Sequence, residues 1–135
     1  MNDNIFLDSN ILVYCFSTSD ARKQEISRSL ANLDNVHIST QVLNETTNVL
    51  AKKYHITWTE LGNLITDFET NFIVHTVPSF EIKKACSIAE KYGFSFFDSL
   101  MVTSAIEANC SILYSEDMHN GQIADIKLKI VNPFL

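Results

Sequence analysis

The chain has 135 residues, enough to bury one sizeable core and too few for two comfortable domains, so residues 1–135 read as a single domain. Hydrophobic residues make up 46% and charged residues 19%, which excludes a disordered chain, and no apolar run approaches the roughly 20 residues that span a bilayer. The formal net charge of −6 argues against a broad electrostatic footprint for nucleic acid and leaves room for a site crowded with carboxylates.

In chain order, "NIFLD" (residues 4–8) is an apolar run suited to a buried strand, closed by Asp8. A carboxylate in apolar surroundings must be paired, hydrogen-bonded or bound to a metal. It also stands where it can cap a helix beginning at Ile11. "ARKQEISRSLANL" (21–33) follows a candidate Asp20 cap and aligns Ile26, Leu30 and Leu33 on one helix face, and "VHIS" (36–39) reads as a second strand. "TQVLNETTNVLAKKY" (40–54) carries Val42, Leu43, Val49 and Leu50 on a helical stripe. "TWTE" (57–60) is a capping box that opens a helix bearing Leu61, Leu64, Ile65 and Phe68.

"FIVHTV" (72–77) predicts a third strand. Ser79 can cap a helix with Ile82, Ala85, Cys86 and Ala89 inward, stopped by Gly93. "SFFDSLMVTSAIEAN" (95–109) is another helix, "SILY" (111–114) a fourth strand, and "IKLKIV" (126–131), with alternating lysines, reads as an edge strand. Cys15, Cys86 and Cys110 are odd in number and sit among apolar neighbours, so buried free thiols in a reducing compartment are expected. "MNDN" lacks the basic start of a secretory signal, and the expectation is a cytoplasmic protein.

Alternating strands and helices predict an α/β domain: a central, mostly parallel sheet of about five strands with helices on both faces. Ligands of such sheets bind beyond the carboxyl ends of the strands. Asp8 ends the first strand, and Glu116 and Asp117 follow the fourth. Glu45 lies early in the helix leaving the second strand, and Asp98 opens the helix that runs down to the fourth. Four distant segments thus deliver carboxylates to one rim. Glu107, at the far end of its helix, is excluded, and the remaining acids, Glu81 among them, are assigned to caps, turns and outward faces.

Converging carboxylates repel one another unless a cation intervenes, and hard divalent ions such as Mg²⁺ or Mn²⁺ take oxygen ligands and assist phosphoryl chemistry. No HExxH, G-x-S-x-G or P-loop offers a competing chemistry, and the four histidines are scattered. Each acid has an ordinary reading as well: a cap for Asp8, a capping box for Asp98 after Ser95, a solvated position for Glu45, turn residues for Glu116 and Asp117. Their shared edge distinguishes the set.

"FLDSNILVY" resembles the Asp-x-Asn opening of PIN domains, "QVLNETTNVL" their Glu helix, "FSFFDSLMVTSAIEANC" their Asp helix, and "LYSEDMHNG" their closing acidic turn. The chain is similar along essentially its whole length, most of all to the VapC-type toxins of toxin–antitoxin pairs. The resemblance implies a Mg²⁺- or Mn²⁺-dependent endoribonuclease with Asp8, Glu45, Asp98 and Asp117 as the acid cluster and Asn10 and Ser115 as polar supports. It leaves open whether Glu116 helps bind a second metal, because Asn120 stands where relatives often carry a further acid. It also implies a homodimer and inhibition by a cognate antitoxin laid across the acidic rim.

Two rival readings stand beside it. One is a PIN-like scaffold that binds RNA without cleaving; the other is a haloacid-dehalogenase-type phosphatase, which wants an Asp where this chain has Asn10. RNA contacts are expected from Arg22, Lys23 and Arg28 and from Lys52 and Lys53, with Lys83, Lys84 and Lys91 as a further group. Tyr14, Phe16, Phe96 and Phe97 flank the site, mostly as core residues, with one free to stack on a base.

Overall fold

The computed structural model describes residues 3–125 and 127–135. Among these, strands and helices follow in the order β1 (Ile5–Leu7), α1 (Ser9–Tyr14), α2 (Ala21–Ala31), β2 (Val36–Ser39), α3 (Thr40–Lys53), α4 (Trp58–Asn71), β3 (Ile73–His75), α5 (Ser79–Tyr92), α6 (Phe96–Glu107), β4 (Ile112–Tyr114), β5 (Ile123–Ala124) and β6 (Leu128–Val131). The sheet order is β3-β2-β1-β4-β6-β5, parallel except for the β5–β6 pair. This is the expected α/β domain, with six strands.

Local chemistry sets the helix starts. The Asp20 carboxylate accepts from Lys23 N at 3.0 Å, the Ser39 hydroxyl from Val42 N at 3.3 Å and the Thr57 hydroxyl from Glu60 N at 3.2 Å, each satisfying a donor that its helix leaves free. Gly93, at φ 75°, ends α5 in the left-handed conformation that glycine adopts without steric cost. Phe6, Leu7, Ile38, Val42, Met101, Ala105, Leu113 and Ile130 form the centre of the core. Every residue of α6 from Ser99 to Ile106 is buried, and α5 packs along it.

The chain builds outwards from β1 through β2 to β3, then returns to add β4, β6 and β5 on the other flank. The reversal lies between β1 and β4, the place in such sheets where ligands bind beyond the ends of the strands. Asp8 N donates to Tyr114 O at 3.1 Å there, so the residue after β1 is stitched to the end of β4.

Several local expectations need correction. β6 is not an edge: it lies between β4 and β5, because Asp125, at φ 52°, reverses the chain and lets a two-residue strand cover it. The alternation of Lys129 with Leu128 and Ile130 marks one solvent-facing side of a strand, and Ile126 lies outside the described residues. On α5 the inward residues are Glu81, Ala85 and Ile88, while Ile82 and Cys86 are exposed. Of the three thiols only Cys110 is buried; Cys15 is half-buried. Leu33 falls beyond the end of α2 and is exposed, Pro78 rather than Ser79 is the cap residue of α5, and α1 begins at Ser9 rather than Ile11. No described helix is long and apolar enough to cross a membrane.

Candidate active site

Asp8 is both a cap and a site residue. It is 5% exposed; Oδ1 accepts from Ser9 N at 2.6 Å, and Oδ2 accepts from the buried Ser115 hydroxyl at 2.7 Å. Burial raises its pKa, the bonds from Ser115 and Ser9 oppose that rise, and the charges of Asp98 and Asp117 add to it. Ser115 is held by its own backbone, whose N–H donates to Val131 O at 3.0 Å. A serine directly after β4 therefore fixes the acid directly after β1.

Glu45 lies on the second turn of α3 and is pushed up to about 7, chiefly by burial and then by the charges of Asp8 and Asp98. Its Oε2 is buried with no hydrogen-bond partner. Such an orphan is uncommon in a folded interior and calls for a ligand or a proton. Asp98 stands in the first turn of α6, where its N–H donates to the Ser95 cap at 3.2 Å; burial raises its pKa, Ser95 opposes, and Asp117 adds to the rise. Asp117, exposed on the bend after β4, accepts from Asn10 Nδ2 at 3.1 Å.

The charges of Asp98 and Asp117 thus bear on Asp8, those of Asp8 and Asp98 on Glu45, and that of Asp117 on Asp98, and none of the four has a Lys or Arg ion-pair partner among the described residues. Among the described residues no group of three or more His, Cys, Asp or Glu side chains stands close enough together to hold a metal ion. What the rim offers is chemistry: its donors are hard oxygens, one of them orphaned, the ligand type taken by Mg²⁺ and Mn²⁺, which keep several waters. It does not fit zinc, whose structural sites are closed and rich in Cys and His.

Glu116 behaves differently. Its Oε1 accepts from Tyr14 OH at 2.5 Å and its Oε2 is paired with Lys23 Nζ. Burial acts to raise its pKa, but the bonds from Lys23 and Tyr14 outweigh burial and hold the carboxyl below its ordinary value. The partners lie 93 and 102 residues away, so no local pattern could have announced them.

The other candidates divide. Arg22 Nη2 donates to Phe134 O at 2.8 Å and Arg28 Nε to Cys15 O at 2.9 Å, so these two, like Lys23, serve the protein's own structure. Lys52 and Lys53 are exposed at the end of α3. Tyr14 and Phe16 are half-buried, but Phe96 and Phe97, 43% and 54% exposed, stand out at the start of α6 rather than in the core. Glu107 is paired with Lys84 at 2.7 Å. Asn120 Oδ1 accepts from Asn132 N at 2.8 Å.

Glu81, placed on the surface by the sequence pattern, is 6% exposed and accepts from Ser104 Oγ at 2.8 Å. Its spacing with Ala85 and Ile88 was the signal that it faces inward.

A family model described as PIN domain matches residues 5–125. Among solved structures, the chain is similar to a toxin–antitoxin complex from Klebsiella pneumoniae, at 18% identity and a TM-score of 0.70, over 96% of this chain and 98% of that one. It is similar to the VapC20 toxin of Mycobacterium tuberculosis, described as cleaving the sarcin-ricin loop, at 19% identity and a TM-score of 0.66, over 82% and 87% of the two chains. A third likeness is to VapBC2 of Rickettsia felis bound to a promoter DNA fragment, at 19% identity and a TM-score of 0.64, over 95% and 98%. At such identities the likeness speaks for the fold. A comparison with curated protein sequences finds no match.

Proposed function

The chain belongs to the PIN domain family, whose model spans residues 5–125, and on that premise we propose that it is a Mg²⁺- or Mn²⁺-dependent endoribonuclease. The observation that carries this reading is the rim itself: four carboxylates from four segments, linked by like-charge repulsion, without cationic partners among the described residues, one with an orphaned buried oxygen. In this reading Asp8, Glu45, Asp98 and Asp117 hold the ion, with Asn10 orienting Asp117 and Ser115 orienting Asp8. The bound ion supplies charge neutralisation at the scissile phosphate and acidifies a water for attack.

The chain's own contribution is placement. Asp8 is clamped through both oxygens, so it meets an ion without first losing rotamer freedom. Glu45, raised to about 7, shares its time between the protonated and charged forms near neutral pH, which relieves the repulsion in the metal-free rim, and a bound ion would favour the charged form. The PIN family match speaks against the phosphatase alternative, and Asn10, bound to Asp117, has a support role where a phosphatase would need an acid.

The structural neighbours are toxins and toxin–antitoxin complexes, and this supports a role as the toxin of a type II pair with a cognate antitoxin; that it acts in the cytoplasm as a homodimer, with the antitoxin laid across the acidic rim, is part of the same proposal. With Arg22, Lys23 and Arg28 engaged internally, Lys52 and Lys53 are the basic residues of the original set left to meet RNA phosphates. The test is cleavage of total cellular RNA by purified protein, followed by sequencing of the fragment ends. Cutting at defined sites with Mg²⁺ or Mn²⁺ and none in EDTA is expected; undiminished cutting in metal-free EDTA buffer would sink the mechanism, and no cutting with either ion would favour the scaffold.

A further inference from the structure

Of the acids at the rim, Glu116 alone has a cation for a partner among the described residues: Lys23 is paired with its Oε2, while its Oε1 accepts from Tyr14 OH. Lys23 comes from the first turn of α2, where the Asp20 cap holds its backbone at 3.0 Å, and Tyr14 is the last residue of α1. The Lys23 ammonium also lies 4.9 Å from the Tyr14 ring centre and 5.4 Å from that of Phe134, and these two rings meet edge to face at 5.2 Å. Arg22 ties Phe134 O into the same corner at 2.8 Å. The ends of two helices and the C-terminal residues therefore converge on one carboxylate.

The backbone of Glu116 is tethered as well. Its N–H donates to Asn10 Oδ1 at 3.4 Å, and its carbonyl accepts from Asn132 Nδ2 at 3.3 Å. Asn10 turns its other end to Asp117, donating from Nδ2 to Oδ2 at 3.1 Å. Asp117 is exposed and sits on a bend outside β4, so the strand ladder does not hold it. An exposed carboxylate on an irregular segment loses side-chain and backbone freedom when it binds an ion, unless its surroundings have already fixed it.

We propose that Glu116 is a positioning residue rather than a metal ligand: clamped by Lys23 and Tyr14, it fixes the bend so that Asn10 can present the Asp117 carboxylate to the ion. The inference deepens the proposed function and rests on its metal site. It also assigns Lys23 a task inside the protein in place of RNA contact.

The two roles for Glu116 predict opposite signs for Lys23. If Glu116 were a ligand, Lys23 would compete with the metal for its oxygens, and Lys23→Met would tighten Mn²⁺ binding. A nearby positive charge would act in the same direction by repulsion. If Glu116 is the anchor, the same change frees the bend and weakens binding in spite of the charge removed.

Mn²⁺ affinity of the full chain is measured by the electron paramagnetic resonance signal of free Mn²⁺, and the melting temperature of each variant is taken in EDTA. Lys23→Met and Glu116→Gln are each expected to weaken Mn²⁺ roughly 10-fold, the scale seen when a ligand's support is removed. The double variant should lose little more, and Lys23→Arg should restore most of the affinity. Tyr14→Phe, which removes one hydroxyl, gives a smaller loss of the same sign and serves should either larger change prevent folding. Unchanged or tighter Mn²⁺ binding in Lys23→Met or Tyr14→Phe overturns the proposal. Absence of Mn²⁺ binding by the unaltered protein overturns the metal site itself, a failure recognisable before any variant is made.

Discussion

Two side chains on one helix separate the site from its surroundings. Asp98 and Glu107 both belong to α6, yet Asp98 is coupled to Asp117 whereas Glu107 is taken up by Lys84. Asp98→Asn keeps the shape and loses the charge that would hold an ion. Cleavage should disappear while the melting temperature stays level or rises, because relief of carboxylate repulsion offsets about 0.3–1 kcal/mol lost at the helix N-terminus. Glu107→Gln should cleave like the unaltered protein. Equal losses at both positions would mean that Asp98 has no special place at the rim.

The Glu45 carboxyl gives a pH signature at the same scale. Folding raises it to about 7, so the folded protein holds a proton that the unfolded chain releases near its ordinary pKa. The associated stability is complete below the unfolded pKa, drains away as pH rises through about 7, and is gone above it. Asp8 and Asp98 are raised too and steepen the fall. Urea unfolding in EDTA should show the protein losing about 1–2 kcal/mol from this group between pH 5 and 8, after allowance for solvent screening. Glu45→Gln should flatten the slope; an unchanged slope would place the titration elsewhere.

At the scale of elements, α5 shows how a helical stripe can be read with the wrong phase. Ile82, Ala85, Cys86 and Ala89 form a plausible apolar face, but the buried side carries Glu81, Ala85 and Ile88. The pairing of Glu81 with Ser104 on α6 makes that phase tolerable, because a buried carboxylate needs a donor. Ser104→Ala should therefore cost about 1–3 kcal/mol in chemical denaturation, leaving Glu81 Oε1 without its donor. Glu81→Leu combined with Ser104→Ala should cost less than Ser104→Ala alone, since no unpaired group remains buried. A larger loss in the double variant would show that the pair itself is stabilising.

For the molecule as a whole, a net charge of −6 sets RNA binding against a repulsive background. Attraction must come from few cations, so RNA affinity should fall with salt on a shallow slope, about 0.7 per phosphate neutralised in a single strand. Replacing Lys52 and Lys53 with alanine should reduce that slope. Arg28→Ala should leave it alone, because that guanidinium is committed to Cys15 O. Filter binding across a salt series measures both, and a slope insensitive to the lysines would move the RNA surface elsewhere on the molecule.

Caps, helical stripes and apolar strands are written in neighbouring residues, because capping and side-chain periodicity act over three or four positions. For that reason the sequence alone determined the α/β class and the existence of every element except the two-residue β5 and the short α1, which entered only as a helix that Asp8 can cap, with boundaries within a few residues. The convergence of Asp8, Glu45, Asp98 and Asp117 was also legible, since parallel strands with helical crossovers leave one edge for the residues that follow them. Only the tertiary structure decided which rim acid is neutralised, which face of α5 is buried, and that β6 is covered. Lys23 meets Glu116, Ser104 meets Glu81 and Ile123 pairs with Lys129 through contacts between segments that no local period relates. Those contacts are selected by the packing of the whole chain, where the cost of leaving a charge or a strand edge unpaired is settled.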